Sequence, residues 1–336
     1  MESELLKELD GKTLLVTGGT GMIGKWMIDL LLRETTCRIL LLGRSEAKAR
    51  ERFPGSFGTD RLRFFAWDAS RPTSLVHSSL ITHHSSLDFI LHLASNTHPT
   101  AYAEDPVGTI MMNVSATKEL LDLAVAAKCC RFVYASSVEI YGANRGDVET
   151  FREDYCGYID SNTLRAGYPE SKRCGEALCQ AYIRQHGLDV VIPRLARIYG
   201  PTLLDTDTKA LSQFIHSALE GKDIVLKSRG DQFFSYLHVA DAVSGILTVM
   251  LRGGCGEAYN IADGKSDIRL RDLAALVAEE CGRKVAFELP NAIESAGFST
   301  ATVARLDSSK LAALGWTAEY DIRRGIAETI RSLGRP

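Results

Sequence analysis

Tyr168 and Lys172 stand four residues apart in Tyr-Pro-Glu-Ser-Lys, inside a stretch that reads as helix. At that spacing both side chains share one helical face, with their Cβ atoms about 5–6 Å apart. A lysine held there would lower the phenol's pKa by stabilising its anion, which would make Tyr168 a proton donor and acceptor near neutral pH. Such pairs also recur by chance on solvated helix faces. The elements that position the pair therefore decide what it means.

Residues 12–17 form a near-continuous apolar run rich in β-branched side chains, the pattern of a strand buried on both faces of a parallel sheet. The run leads into Gly18-Gly19-Thr20-Gly21-Met22-Ile23-Gly24 and then into an apolar-striped helix over 25–33. Strand, glycine turn and helix make a phosphate-binding start, because glycines admit a pyrophosphate close to backbone N–H groups at a helix N-terminus. The spacing is Gly18-x-x-Gly21-x-x-Gly24, a variant of the commoner fingerprint.

A second strand over 38–43 ends at Gly43-Arg44-Ser45, with Lys48 close behind, where such folds usually offer an acid to the adenosine ribose. Arg44 suits a 2′-phosphate and leans toward NADP over NAD; stacking on adenine or facing solvent are its other uses. A strand over 63–68 ends in Asp68, read either as an acceptor for the adenine amino group or as a cap. Residues 71–87, with His77, His83 and His84, read as a solvated helix and loop without metal-ligand spacing. A strand over 87–95 carries His92 in an apolar run, read as a hydrogen-bonded core histidine, and a long helix follows over 106–127. The strand over 131–137 delivers Ser136, Ser137 and then Glu139 to the sheet edge that the glycine loop occupies. The Tyr168 helix runs to about 186, and a sixth strand spans 189–194.

This alternation predicts an α/β, doubly wound parallel-sheet Rossmann fold with a smaller C-terminal substrate lobe. The dinucleotide domain is expected over 1–200, completed by about 236–263, and the lobe over 201–235 and 264–336. Helices are expected at 203–221, from Tyr236 to about 251, at 268–281 and at 321–333, with short strands at 223–227 and 258–262.

The 336 residues carry 39 basic and 42 acidic side chains, a net charge of -3. That balance gives no general attraction to nucleic acid or anionic membrane. Eight cysteines without Cys-x-x-Cys or paired Cys/His spacing argue against a metal site and for a reducing compartment. No apolar run reaches the length of a membrane span, and a cytoplasmic location is the expectation.

The glycine loop, the hydroxyl-rich end of the fifth strand and Tyr168-x-x-x-Lys172, in that order, resemble the extended short-chain dehydrogenase/reductase family of NAD(P)-dependent nucleotide-sugar epimerases and dehydratases. His92-Leu-Ala-Ser-x-x-x-Pro99-x-x-Tyr102, Asn113, Tyr199-Gly-Pro201 and His238-Val-Ala-Asp241 extend the resemblance over nearly the whole chain. Glu153 to Gly157 and Arg165 to Arg173 are most similar to the UDP-glucuronate decarboxylase branch. The resemblance implies that Tyr168 takes the proton of a sugar C4 hydroxyl as hydride leaves, with Lys172 lowering its pKa. Ser137 would bond the same sugar oxygen, and Glu139 would act near C5 of the 4-keto intermediate. It also implies cofactor contacts at Gly18, Gly21, Met22, Ile23, Gly24, Arg44, Asp68, Ala94, Asn113 and Lys172, substrate contacts at Ser95, Tyr102, Ser136 and Arg197, and a homodimer built on helices near 108–127 and 168–186.

Two departures bear on the substrate. Val138 precedes Glu139 where dehydratases carry a second acid and decarboxylases a serine, and Phe234 stands where the family usually grips a diphosphate with arginine. Arg197, where relatives carry asparagine, is expected either to bind the substrate's phosphate or carboxylate, with Arg229 assisting, or to form a structural ion pair. Decarboxylation of a UDP-hexuronate ranks first, ahead of 4,6-dehydration or epimerisation. An NADPH-dependent carbonyl reductase and a non-catalytic dinucleotide sensor are the alternatives, the first opposed by Glu139 and the second by the intact Ser137, Tyr168 and Lys172.

Overall fold

A computed structural model describes residues 2–69, 87–97, 104–288 and 302–334. The sequence reading of residues 71–86, with their three histidines, and the substrate contact expected at Tyr102 lie outside them.

The strands in chain order are β1 (Thr13–Thr17), β2 (Arg38–Gly43), β3 (Leu62–Ala66), β4 (Phe89–His92), β5 (Arg131–Tyr134), β6 (Ser136–Ser137), β7 (Val190–Leu195), β8 (Arg197–Tyr199), β9 (Ile224–Leu226), β10 (Phe233–His238) and β11 (Ala258–Ile261). The principal sheet runs in the order β11-β7-β5-β4-β1-β2-β3, with β6 paired to β7, and every pairing in it is parallel. All five residues of β1 are buried, as a strand covered by helices on both faces must be. The strand order reverses beside β1, which is flanked by β4 and β2, and the crevice at their carboxyl ends is where such sheets hold ligands.

The helices that matter for the site are α1 (Met22–Glu34), α2 (Pro106–Ala126), α3 (Gly167–His186), α4 (Ala210–Leu219) and α5 (Val239–Arg252). Asp105 caps α2 by accepting from the Gly108 N–H, and a proline occupies its first turn, where a missing N–H costs nothing. Helix α3 likewise tolerates Pro169 in its first turn and stops at Gly187, whose left-handed conformation (φ +65) suits glycine. Gly175 lets α3 seat on the sheet, since a Cβ there would collide with the Tyr134 hydroxyl of β5.

Two expectations change. Residues 236–238 belong to β10 rather than to the start of a helix, because β10 pairs in parallel with β8, placing Tyr236 opposite Arg197 and His238 opposite Tyr199. The helix begins only at Val239. Residues 203–209 precede α4 instead of opening it, and the Asp207 carboxylate accepts from the Lys209 N–H just before the helix starts. Strand β10 also pairs with Asp267–Arg269 and Val303–Ala304, so a second, smaller sheet stands beside the carboxyl ends of the first. Among the described residues no helix is long and apolar enough to cross a membrane, and no group of three or more potential ligands could hold a metal.

Candidate active site

A cavity of about 1210 Å³ lies between the glycine loop and the smaller sheet. Gly18, Gly21, Met22, Ile23 and Gly24 line one end, where Arg44 and Lys48 also reach it from the end of β2. The glycines have a steric reason. A Cβ on Gly18, whose φ is +73, would sit 2.7 Å from the Ala94 nitrogen, and one on Gly24 would collide with the Gly18 carbonyl. The loop is a cradle that side chains would fill, and it fits a dinucleotide pyrophosphate. Ala94 lines the cavity too, whereas Asp68 does not; its neighbours Trp67 and Ala69 do.

Tyr168, in the first turn of α3, reaches the middle of the cavity although only 6% exposed. Burial pushes its phenol up to about 12, while hydrogen bonding with the Ser137 and Ser95 side chains pulls it down and the charge of Glu139 pushes it up again. Lys172, four residues on, does not itself line the cavity. Its ammonium is buried behind the cavity, donates to the Ala135 carbonyl at 2.9 Å and lies 5.0 Å from the Tyr134 ring centroid. Burial brings Lys172 down to about 8. The shared helix face holds, but the long lysine stem follows the carbonyl at the end of β5.

Ser95 was expected to touch substrate, yet its hydroxyl also ties the phenol to the sheet. It donates to Asn113 Oδ1 at 2.7 Å, and Asn113 donates in turn to Ser171 Oγ at 2.9 Å, one turn along from Tyr168. Asn113 is fully buried and braces the site from behind rather than lining it. His92 sits between Thr17 and Thr117, with ring nitrogens 2.9 and 3.1 Å from their hydroxyls, and burial holds it down at about 3. It is a neutral core histidine.

Glu139 follows Ser137 in a single 3₁₀ turn, Val138–Tyr141, whose first N–H groups include the Glu139 N–H donated to Ser137 Oγ at 3.2 Å. The turn carries the carboxylate into the cavity, where Arg197 Nη2 approaches Glu139 Oε1 at 3.3 Å. The Arg197 guanidinium lies 3.6 Å over the ring centroid of Phe234, and both residues face the same cavity. Arg229 does not join them: it is largely exposed beside Asp231 and outside the cavity lining, which corrects its expected assisting role. Lys209 and Lys227 also line the cavity, and nothing in their sequence spacing marked them.

The chain is thus a Rossmann-type dinucleotide-binding protein with a hydroxyl–phenol–carboxylate constellation facing the cofactor cradle. The profile of the NAD dependent epimerase/dehydratase family matches residues 14–262, and the protein belongs to that family. It is 29% identical over 247 residues to UDP-glucuronic acid decarboxylase 1 of Xenopus tropicalis, a match covering 74% of this chain and 55% of the relative. It is 30% identical over 237 residues to UDP-glucuronic acid decarboxylase 6 of Arabidopsis thaliana, covering 70% of this chain and 65% of the relative. These matches therefore span less than two thirds of either relative. The structure is similar to that of a dTDP-glucose 4,6-dehydratase from Streptomyces venezuelae solved with NAD, with a TM-score of 0.80, 26% identity and coverage of 95% of this chain and 96% of that one.

Proposed function

We propose that the protein oxidises a nucleotide sugar at C4, acts at C5 of the resulting ketone and returns the hydride, with decarboxylation of a UDP-hexuronate as the outcome. The observation that carries the reading is that Ser137, Ser95 and Glu139 all act on the Tyr168 phenol inside one cavity that also contains the glycine cradle. In this reading residues 1–200 and 236–263 serve the cofactor, and 201–235 with 264–336 serve the substrate.

A nicotinamide dinucleotide held in the Gly18–Gly24 cradle would supply reversible hydride acceptance. Tyr168 takes the C4 hydroxyl proton as the C–H bond breaks, and Ser137 holds the same oxygen. The new carbonyl then lets the C5–C6 bond break with its electron pair entering an enolate, which releases carbon dioxide. Glu139 relays a proton from water to C5 in place of the lost carboxyl group, and Tyr168 returns its proton to O4 as C4 is reduced. A buried valine at 138 cannot deliver a proton to a leaving hydroxyl, which sets decarboxylation ahead of dehydration. A plain reductase has no use for Glu139.

Arg44 and Lys48, both exposed at the cavity edge with no carboxylate at the end of β2, favour NADP over NAD. Exposed Val107 and Met111 on α2 and Leu164 just before α3 support a homodimer through these helices. Eight free cysteines suit a reducing compartment such as the cytoplasm.

The test is incubation with UDP-glucuronate and catalytic NAD or NADP, following carbon dioxide release and the reduced cofactor. Release of one carbon dioxide per turnover without net NAD(P)H is expected. Stoichiometric accumulation or consumption of NAD(P)H, or a 4-keto-6-deoxy product from a UDP-hexose, would overturn the reading.

A further inference from the structure

Arg197 is a cation with one hand occupied and one free. Nη2 faces Glu139, while Nη1 is buried with no hydrogen-bond partner among the described residues. The Ser136 hydroxyl, 3% exposed on the same cavity wall, likewise has no partner among the described residues. Buried donors are nearly always satisfied, and an orphan on a guanidinium calls for a ligand. The Phe234 ring covers one flat face of the guanidinium, so an anion must meet its edge, the geometry that suits a planar carboxylate. Glu139 already shows that a carboxylate fits there, yet its 3.3 Å contact is longer than the usual charge-assisted hydrogen bond of about 2.7–2.9 Å. Such a partner is exchangeable.

Position separates a sugar carboxylate from a diphosphate as the intended anion. Glu139 is close enough for its charge to act on the Tyr168 phenol, so Arg197 beside it stands at the reacting end of the cavity. We propose that Arg197 is the receptor for a carboxylate on the substrate sugar, and that this carboxylate competes with Glu139 for the guanidinium. Arrival of a C6 carboxylate then releases Glu139 toward C5, so substrates with a neutral C6 group leave Glu139 held. The inference rests on the nucleotide-sugar reading and adds to it the group that selects hexuronates.

The experiment is calorimetric titration of UDP-glucuronate and UDP-glucose into the wild-type protein, Arg197→Ala, Arg197→Lys and Glu139→Gln, with dinucleotide binding measured on each variant as a check of the fold. Wild type is expected to prefer UDP-glucuronate. Arg197→Ala should lose about tenfold or more of that affinity while UDP-glucose binding changes by less than about threefold. Arg197→Lys should fall between, because an ammonium cannot offer the planar fork. Glu139→Gln should bind UDP-glucuronate more tightly, since the internal competitor has lost its charge; this arm stands even if the alanine variant misfolds. Equal weakening of both ligands by Arg197→Ala would assign the arginine to the diphosphate, and no change would make it a structural pair; either result overturns the proposal. A wild-type protein that binds dinucleotide but neither sugar nucleotide would instead overturn the underlying reading, and the proposal with it.

Discussion

The two walls of the cavity are built in different ways. On the cofactor wall each functional residue lies at the carboxyl end of a strand in the principal sheet or in the turn or helix that follows: the glycine loop after β1, Ser137 and Glu139 after β5, Tyr168 at the start of α3. On the opposite wall Arg197 and Phe234 meet only because β8 pairs with β10 across an intervening helix and strand. The first wall is specified by local order and the second by a long-range pairing. In the reading proposed above, hydride and proton chemistry belongs to the first and the choice of substrate to the second.

The sharpest way to break this division is at Tyr168. Tyr168→Phe should leave dinucleotide binding intact and lower turnover by about 10²–10⁴-fold, the usual worth of a positioned proton donor and acceptor. Comparable turnover in the variant, read in a single-turnover assay, would move the proton chemistry elsewhere.

Lys172 tests whether the same wall depends on a charge held behind it. Because burial places its folded pKa near 8, below the usual lysine value, the ammonium is intact below pH 8 and is lost above it. Activity is therefore expected to decline above about pH 8. Stability should move the other way, rising as pH increases from about 8 toward the unfolded lysine value near 10.5, since the folded chain binds fewer protons across that window. Denaturant melts and rate profiles taken on the same samples would show whether the two trends oppose each other, and Lys172→Met should abolish both.

The smallest effect belongs to the second wall. Phe234→Leu removes the ring beneath Arg197 but keeps an apolar side chain, so a loss of about 0.5–1 kcal/mol in binding UDP-glucuronate is expected, with the fold retained. A loss as large as that of Arg197→Ala would mean that the ring, rather than the guanidinium edge, carries the recognition.

Much of the first wall was legible in residue order. The strand, glycine turn and helix over 13–34 announce a phosphate cradle because only glycines permit the backbone approach seen at Gly18 and Gly24. Near-continuous apolar runs and apolar helical stripes located the main strands and helices near their observed ends. The pattern failed at residues 236–238, where an apolar run leading into a helix reads as part of it, and pairing with β8 made it strand. For Lys172, spacing places the lysine on the phenol's helical face, and the Ala135 carbonyl that its ammonium meets is supplied by another element.

The sequence by itself determined the order of strands and helices, the glycine cradle and the presence of a phenol, a hydroxyl and a carboxylate at one sheet edge, because these follow from local periodicity and from the parallel sheet's habit of gathering strand ends. Only the tertiary structure decided that Ser95 and Asn113 brace the phenol, that Lys172 stands behind the site, and that Arg197 is shared between Glu139, the Phe234 ring and an unfilled bond. Those contacts join residues far apart in the chain, and side-chain direction across such distances is set by packing, not by spacing.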